Sequence, residues 1–239
     1  MPGRTILVVM AHPDDAELTC AGSMARWIRE GDRAVLVVAS DGARGGKHHD
    51  ADHQSMAPTR QSEQQASADL IGINQAVYLG FPDGALCDDE GLRGALVGQI
   101  RRVRPDVVIV MDPLTVIFQD SYVNHRDHRV LGMTMLDALY PAASNAGYFP
   151  EQLEMGLRLH KVPELLLTTT ERPNYWVDVS DTLEIRFDAL RCHASQIRLW
   201  PDNGEFVIEQ QRRVAETIGA EHGFRYAEAF RRVVVNPLT

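Results

Sequence analysis

The chain has 239 residues, 44% hydrophobic and 24% charged, enough to bury the core of one large domain. Its 24 Lys and Arg against 33 Asp and Glu give a formal charge of -9, which argues against nucleic acid and favours a small neutral or cationic partner. Cys20, Cys87 and Cys192 are few, odd in number and widely spaced, which excludes a disulfide framework or a cysteine-zinc site; no apolar stretch is long enough to span a bilayer. Met1-Pro2-Gly3-Arg4 runs directly into the first predicted strand without an apolar leader, so a cytoplasmic protein is expected.

Thr5 to Met10 is an apolar, β-branched run bounded by polar residues, the pattern of a strand covered on both faces. Directly after it stands Ala11-His12-Pro13-Asp14-Asp15-Ala16-Glu17, which gathers a histidine and carboxylates where the strand leaves the core. Leu18, Ala21, Met24, Ala25 and Ile28 recur at helical spacing and predict a helix from Glu17 to Gly31, with Gly31 at its end. Ala34 to Ala39 is a second buried strand, which makes a right-handed βαβ unit with parallel strands.

Ser40 to Pro58, rich in Gly, Asp and His, reads as a long mobile loop above the sheet. Thr59 then caps a helix from Arg60 to Ile71, followed by a strand at Ala76 to Leu79, a helix from Leu92 to Val103 and a fourth apolar run at Val107 to Met111. Regular strand-helix alternation predicts a doubly wound α/β fold, a mostly parallel sheet with helices on both faces, as a single domain over 1–239. Asp112 and Pro113 open a second irregular loop that delivers Asn124-His125-Arg126-Asp127-His128-Arg129, after which Val130 to Tyr140 is helical. Later, Leu165 to Thr169 and Tyr175 to Val179 resemble strands, Leu183, Phe187 and Leu190 mark a helix face, Val207 to Ile218 is a helix and Phe230 to Val235 a closing strand. Ala142 to Phe149 is the one place where a subdomain break would fit.

Both chemical clusters follow carboxyl ends of strands, where open parallel α/β sheets bind ligands. A hydrolytic zinc needs about three His or carboxylate ligands and an open position for water, and His12, Asp15 and His128 can supply them. Asp14 is then free to act as base, while His125 can stabilise an oxyanion or protonate a departing amine and Asp127 can orient an imidazole. Blander readings stand beside these. His-Pro-Asp-Asp also describes an Asp-capped helix start with an early proline, and Asp127 can cap the helix after it. The crowded His48, His49, Asp50 and His53 read as a substrate lid rather than a second metal site, Arg60 as a first-turn surface residue or a substrate contact, and His193 with Ser195-Gln196 as helix-end packing without a neighbouring acid.

The residues 11–17 and His125-Arg126-Asp127-His128 resemble the zinc-dependent N-acetylglucosaminyl deacetylases, the LmbE-like or PIG-L family. Supporting similarity runs through Ser40-Asp41-Gly42, the Arg60 to Glu63 helix start, Leu79-Gly80-Phe81-Pro82-Asp83-Gly84, Arg104-Pro105-Asp106 and His193-Ala194-Ser195-Gln196. The resemblance implies a Rossmann-like fold, one Zn2+ (with Fe2+ admitted by the ligand type) on His12, Asp15 and His128, and Asp14 as base. It further implies His125 as partner acid, Asp127 as its orienting neighbour, Arg60 at a substrate-contacting position, and an amino-sugar substrate losing an N-acyl, expectedly N-acetyl, group. Relatives often assemble, so a homo-oligomer is compatible. Two positions depart from the pattern: Arg126 stands where many relatives carry proline, and Val123 where some carry a tyrosine oxyanion donor, with Tyr122 one residue away.

Two other classes of function use similar residues. Two histidines and a carboxylate also form the facial triad of non-haem iron oxygenases, but those usually sit on an antiparallel β-barrel. A non-catalytic Rossmann-like binding domain would show a glycine-rich phosphate loop, whereas Asp14 and Asp15 here would repel phosphate. An amidase of the same family acting on a non-acetyl or thiol/sugar conjugate is separated only poorly by sequence.

Overall fold

The computed structural model describes residues 3–46 and 53–235. In chain order the elements are β1 (Thr5–Met10), α1 (Asp15–Thr19), α2 (Ala21–Arg29), β2 (Arg33–Ser40), α3 (His53–Ile71), β3 (Gln75–Phe81), α4 (Glu90–Val103), β4 (Val107–Met111), β5 (Ile117–Phe118), β6 (Tyr122–Val123), α5 (Arg126–Leu139), α6 (Pro150–Glu154), β7 (Glu164–Thr168), β8 (Tyr175–Asp178), α7 (Leu183–Arg191), α8 (Ala194–Ile197), α9 (Glu205–His222) and β9 (Ala227–Val234). Seven strands form one sheet in the order β3-β2-β1-β4-β7-β9-β8. From β3 to β7 every neighbour is parallel; β9 runs antiparallel to both β7 and β8.

Alternation along the central strands explains the two apolar layers. Ile6, Val8 and Met10 of β1 face Met24 and Trp27 of α2, Ile71 of α3 and Phe187 of α7 in one core. Leu7 and Val9 face the other way, into a core with Leu96 and Ile100 of α4 and Leu131 and Met135 of α5. Covered on both faces, β1 and β4 carry continuous apolar runs instead of alternating ones. Strand order reverses at β1, which pairs with β2 on one side and β4 on the other, and such a switch point opens a crevice beyond the carboxyl ends.

The expected helix from Glu17 to Gly31 is broken at Cys20, whose φ of -143° and ψ of 6° are not helical. A buried ion pair far off in sequence stabilises the break. Arg186 donates to the carbonyls of Glu17 (2.8 Å) and Leu18 (2.6 Å), satisfying the end of α1, and lies 3.2 Å from Glu228. Glu228 in turn accepts from the N–H groups of Gly22 (3.1 Å) and Ser23 (2.8 Å), capping the start of α2.

The expected loop from Ser40 to Pro58 ends earlier than the sequence suggests, because α3 starts at His53 and carries Pro58 inside it. Thr59 does not cap; its hydroxyl donates back to the carbonyl of Ser55 at 2.8 Å. Proline deletes one N–H but leaves the turns on either side intact, so a reading that stops helices at proline misplaces this boundary. The lid reading of His48, His49 and Asp50 falls outside the described residues, as does the side chain of His53. The stretch from Ala142 to Phe149 is anchored rather than loose: Arg101 donates to the carbonyls of Ala142 (3.0 Å), Ala143 (3.3 Å), Asn145 (3.1 Å), Tyr148 (2.9 Å) and Phe149 (3.0 Å). Within the second loop, β5 and β6 form an unforeseen short antiparallel hairpin.

Candidate active site

The chain turns sharply where β1 ends. Asp14 has φ 100° and ψ -17°, a left-handed conformation costly for a residue with a side chain, and α1 begins at the next residue. This turn directs His12, Asp14 and Asp15 into the crevice beside β4. Asp15 accepts the N–H of His12 at 2.8 Å, which fixes its carboxylate against the strand end. From the other side, β4 leads through the hairpin to His125, the N-terminal cap of α5, and one turn later to His128. The cap of α5 is His125, not Asp127: His125 Nδ1 accepts the N–H of Asp127 at 3.2 Å.

Hydrogen bonding assigns the tautomer of His128, and neighbouring carboxylates favour one for His12. Asn124 is 1% exposed, and its Nδ2 donates to the carbonyl of Thr115 at 2.8 Å. Its Oδ1 therefore faces His128 Nδ1, 2.9 Å away, and an amide oxygen can only accept. His128 Nδ1 carries the hydrogen, and the bare Nε2 looks toward Asp15 (3.2 Å) and His12 (3.2 Å). His12 is arranged the other way round. Its Nε2 stands 3.2 Å from Asp83 and 3.5 Å from Asp127, two carboxylates suited to hold a hydrogen there, which leaves Nδ1 to face Asp15 (3.4 Å) and His128.

Three residues thus converge: His12 Nδ1 lies 3.2 Å from His128 Nε2 and 3.4 Å from Asp15 Oδ2, and His128 Nε2 lies 3.2 Å from Asp15 Oδ1. Tetrahedral coordination with bonds of about 2.0–2.2 Å places its ligand atoms about 3.3–3.6 Å apart, so these residues fit a metal ion of that size. His125, whose donor also lies within 4.8 Å of His12 and His128, borders the same space and is exposed. Charge agrees with geometry. Burial would lower the pKa of His12, but Asp15, Asp127 and Asp83 together outweigh it, and the imidazole is pushed up to about 12. A cluster that holds a proton so tightly is one that attracts a cation.

Asp127 is fully buried; it accepts the N–H groups of Gly84 (2.8 Å) and Leu86 (3.3 Å), and its carboxylate lies 3.5 Å from His12 Nε2. Asp83 accepts the N–H of Arg44 at 2.9 Å with its other oxygen. Asp14 stands beside the donors without joining them. Burial raises its carboxyl, Arg60 opposes that, and the balance lies at about 6. Arg60 is 3% exposed and donates to the carbonyls of Pro13 and Gly42 (3.0 Å) and to Asp14 Oδ2 (3.1 Å), so it lies inside the wall of the site, holding the Asp14 carboxylate.

Several groups at the site carried no predicted role: Asp83, Asn124, Gln64, Glu17 and His193. His193 does have an acid beside it, since the fully buried Glu17 lies 3.5 Å from its Nε2, while Ser195 makes the expected helix-end hydrogen bonds, to Glu63 at 2.7 Å each. One sequence signal could have found Asp83, because Pro82-Asp83-Gly84 follows the carboxyl end of β3 just as the two predicted clusters follow β1 and β4. Val123 and Tyr122 form the exposed strand β6.

The fold and the His/Asp cluster at its switch point define the class as a metal-dependent hydrolase of α/β architecture. A family model described as PIG-L, GlcNAc-PI de-N-acetylase, matches residues 7–139, and the chain belongs to this family of hydrolytic deacetylases. It is 30% identical over 230 residues to diacetylchitobiose deacetylase of Thermococcus kodakarensis, covering 96% of this chain and 83% of that protein. It is 25% identical to 1D-myo-inositol 2-acetamido-2-deoxy-alpha-D-glucopyranoside deacetylase of Rhodococcus jostii, covering 94% and 91%. Among solved structures, N,N'-diacetylchitobiose deacetylase from Pyrococcus horikoshii superposes with a TM-score of 0.88 at 27% identity, covering 99% of this chain and 88% of that one. Among the described residues no helix is long and apolar enough to cross a membrane.

Proposed function

We propose that this protein hydrolyses the N-acetyl group of an N-acetylated amino sugar of the N-acetylglucosaminide class. The observation that carries the reading is the donor triangle of His12, Asp15 and His128 with Asp14, an aspartate of raised pKa, at its edge. Those three residues would hold the metal, zinc by ligand type and with iron admitted by it. Bound there, the ion supplies a Lewis acid that polarises the amide carbonyl and eases deprotonation of water near neutral pH.

The remaining steps belong to the chain's own groups. Arg60 occupies Asp14 Oδ2, so Oδ1 is the oxygen that takes the proton from the attacking water. A carboxyl near 6 is ionised at neutral pH yet basic enough for that transfer. Because His125 Nδ1 accepts the N–H of Asp127, its neutral ring bears the hydrogen on Nε2, which donates a hydrogen bond to the amide oxygen as it gains negative charge. The C–O bond forms first, and the proton taken up by Asp14 then passes to the amide nitrogen as the C–N bond breaks, releasing acetate and the free amino sugar and returning Asp14 to its carboxylate form. Asp127 and Asp83 keep His12 turned with Nδ1 inward throughout.

Acetate release from a panel of N-acetylglucosaminides by zinc-loaded protein tests the reading, with chelator-treated protein and Asp14→Asn as controls. Turnover abolished by chelator and lowered about 100-fold or more by Asp14→Asn is the expected result. Protein that binds zinc and turns over none of these sugars refutes the substrate class.

A further inference from the structure

The buried face of α3 is polar where it meets the site. Arg60, Gln64 and Ser67 lie at helical spacing on one face, are 3%, 1% and 0% exposed, and all turn toward residues 13–17. Gln64 joins two of those residues. Its Oε1 accepts the backbone N–H of Asp14 at 3.1 Å, and its Nε2 donates to Glu17 Oε1 at 2.7 Å. Glu17 is fixed in turn by the hydroxyl of Ser67 and by His193 at 3.5 Å. The amide has no freedom to reverse, because a carboxylate cannot donate and an N–H cannot accept.

We infer that Gln64 is a positioning residue that locks the left-handed backbone of Asp14, and so the direction of its carboxylate, by tying it to the buried Glu17–His193 pair. Asp14 is the residue whose conformation most needs such a lock, with φ 100° and a side chain to accommodate. Arg60 holds the carboxylate and the preceding carbonyl, and Gln64 holds the intervening N–H. Together they grip the Pro13–Asp14 peptide at both edges, its carbonyl through Arg60 and its N–H through Gln64. The kinetic role rests on the proposed function, but the lock itself does not.

Two readouts test it. Amide hydrogen exchange at Asp14, followed by NMR, reads the lock without any assumption about substrate: Gln64→Leu is expected to speed exchange there by about 10-fold or more while the strands β1 and β4 stay protected. With an N-acetylated sugar as substrate, Gln64→Leu is expected to lower kcat by about 100-fold with little change in KM, since a misdirected base affects the transition state and not binding. Gln64→Glu alone sets two carboxylates face to face and should be as damaging. Gln64→Glu combined with Glu17→Gln restores the pattern with the charge exchanged, because residue 64 again accepts from Asp14 and residue 17 donates to it; exchange at Asp14 should return toward wild type and kcat recover with it. If Gln64→Leu does not fold, this exchanged pair decides the question. Unchanged exchange at Asp14 in a folded Gln64→Leu, or a folded exchanged pair no better than Gln64→Glu, overturns the proposal. Restored exchange in a protein without sugar deacetylase activity supports the lock and refutes only the function.

Discussion

Replacing Asn124 by leucine keeps the volume of the side chain and removes both of its hydrogen bonds. His128 Nδ1–H then loses its acceptor at 2.9 Å, and the carbonyl of Thr115 loses its donor at 2.8 Å, both in a site where Asn124 is 1% exposed. An unsatisfied buried donor costs about 1–3 kcal/mol, so the imidazole gains by moving its hydrogen to Nε2, the atom that must be bare to bind a cation. Loss of such a supporting contact weakens metal binding about 10–100-fold, or about 1.4–2.7 kcal/mol. Competition of metal-free protein against a chromophoric zinc chelator measures the affinity, and long-range nitrogen–proton NMR of the imidazoles reads the tautomer without metal. Asn124→Asp keeps an acceptor opposite His128 and should preserve the tautomer. A wild-type tautomer signal retained in Asn124→Leu, with zinc affinity within about twofold of wild type, would refute the assignment of His128 as a ligand oriented by Asn124.

The break between α1 and α2 provides a second test: Arg186→Met leaves Glu228, 3% exposed, without its partner, and a loss of about 3–5 kcal/mol is expected. In a chain of this size that lowers Tm by roughly 6–20 °C, measured by thermal melting. Gly22→Ala presses on the same joint, because a Cβ there would stand 2.8 Å from Glu228 Oε1; about 1–3 kcal/mol should be lost in a denaturant titration. For the Glu17–His193 pair, burial would lower the histidine, yet Glu17 outweighs it and His193 ends above its ordinary 6.5, while Glu17 ends below its ordinary 4.5 in spite of burial, chiefly through His193. The raised histidine stabilises fully below pH 6.5 and loses that contribution as pH rises through its folded value; the lowered carboxylate stabilises above pH 4.5 and loses its share as pH falls through its own. The pair is therefore at full strength between these limits, and the Tm difference between wild type and His193→Gln should be largest there and shrink toward alkaline pH.

The parts of this molecule legible from sequence are those whose cause is local. The apolar runs of β1, β2 and β4 are continuous because both faces are covered, and the two ligand-bearing segments adjoin or follow strand ends at the switch point, so composition and order alone point to them. The break at Cys20 was not legible, because its cause is Arg186 and Glu228, 168 and 206 positions from the groups they satisfy. Asp127 shows the same limit: its neighbour in sequence is His125, but the fold brings its carboxylate to within 3.5 Å of His12. Pro58 shows the opposite error, a strong local signal overruled by the helix around it.

The proposed metal ligands and proposed base sit within a few residues of two strand ends, but what fixes their orientation comes from elsewhere. Asp83 comes from the loop after β3, Asn124 from the hairpin base, Arg60 and Gln64 from α3, and Glu17 is held by His193 at the start of α8. A substitution at any of these leaves the donor set intact and changes only its alignment. Loss of activity with metal retained is then the expected signature of Arg60 and Gln64, which hold the base. Loss of metal affinity is the signature of Asn124 and Asp83, which hold the ligand histidines, and the two kinds of residue are separable by measuring bound zinc and kcat on the same preparations.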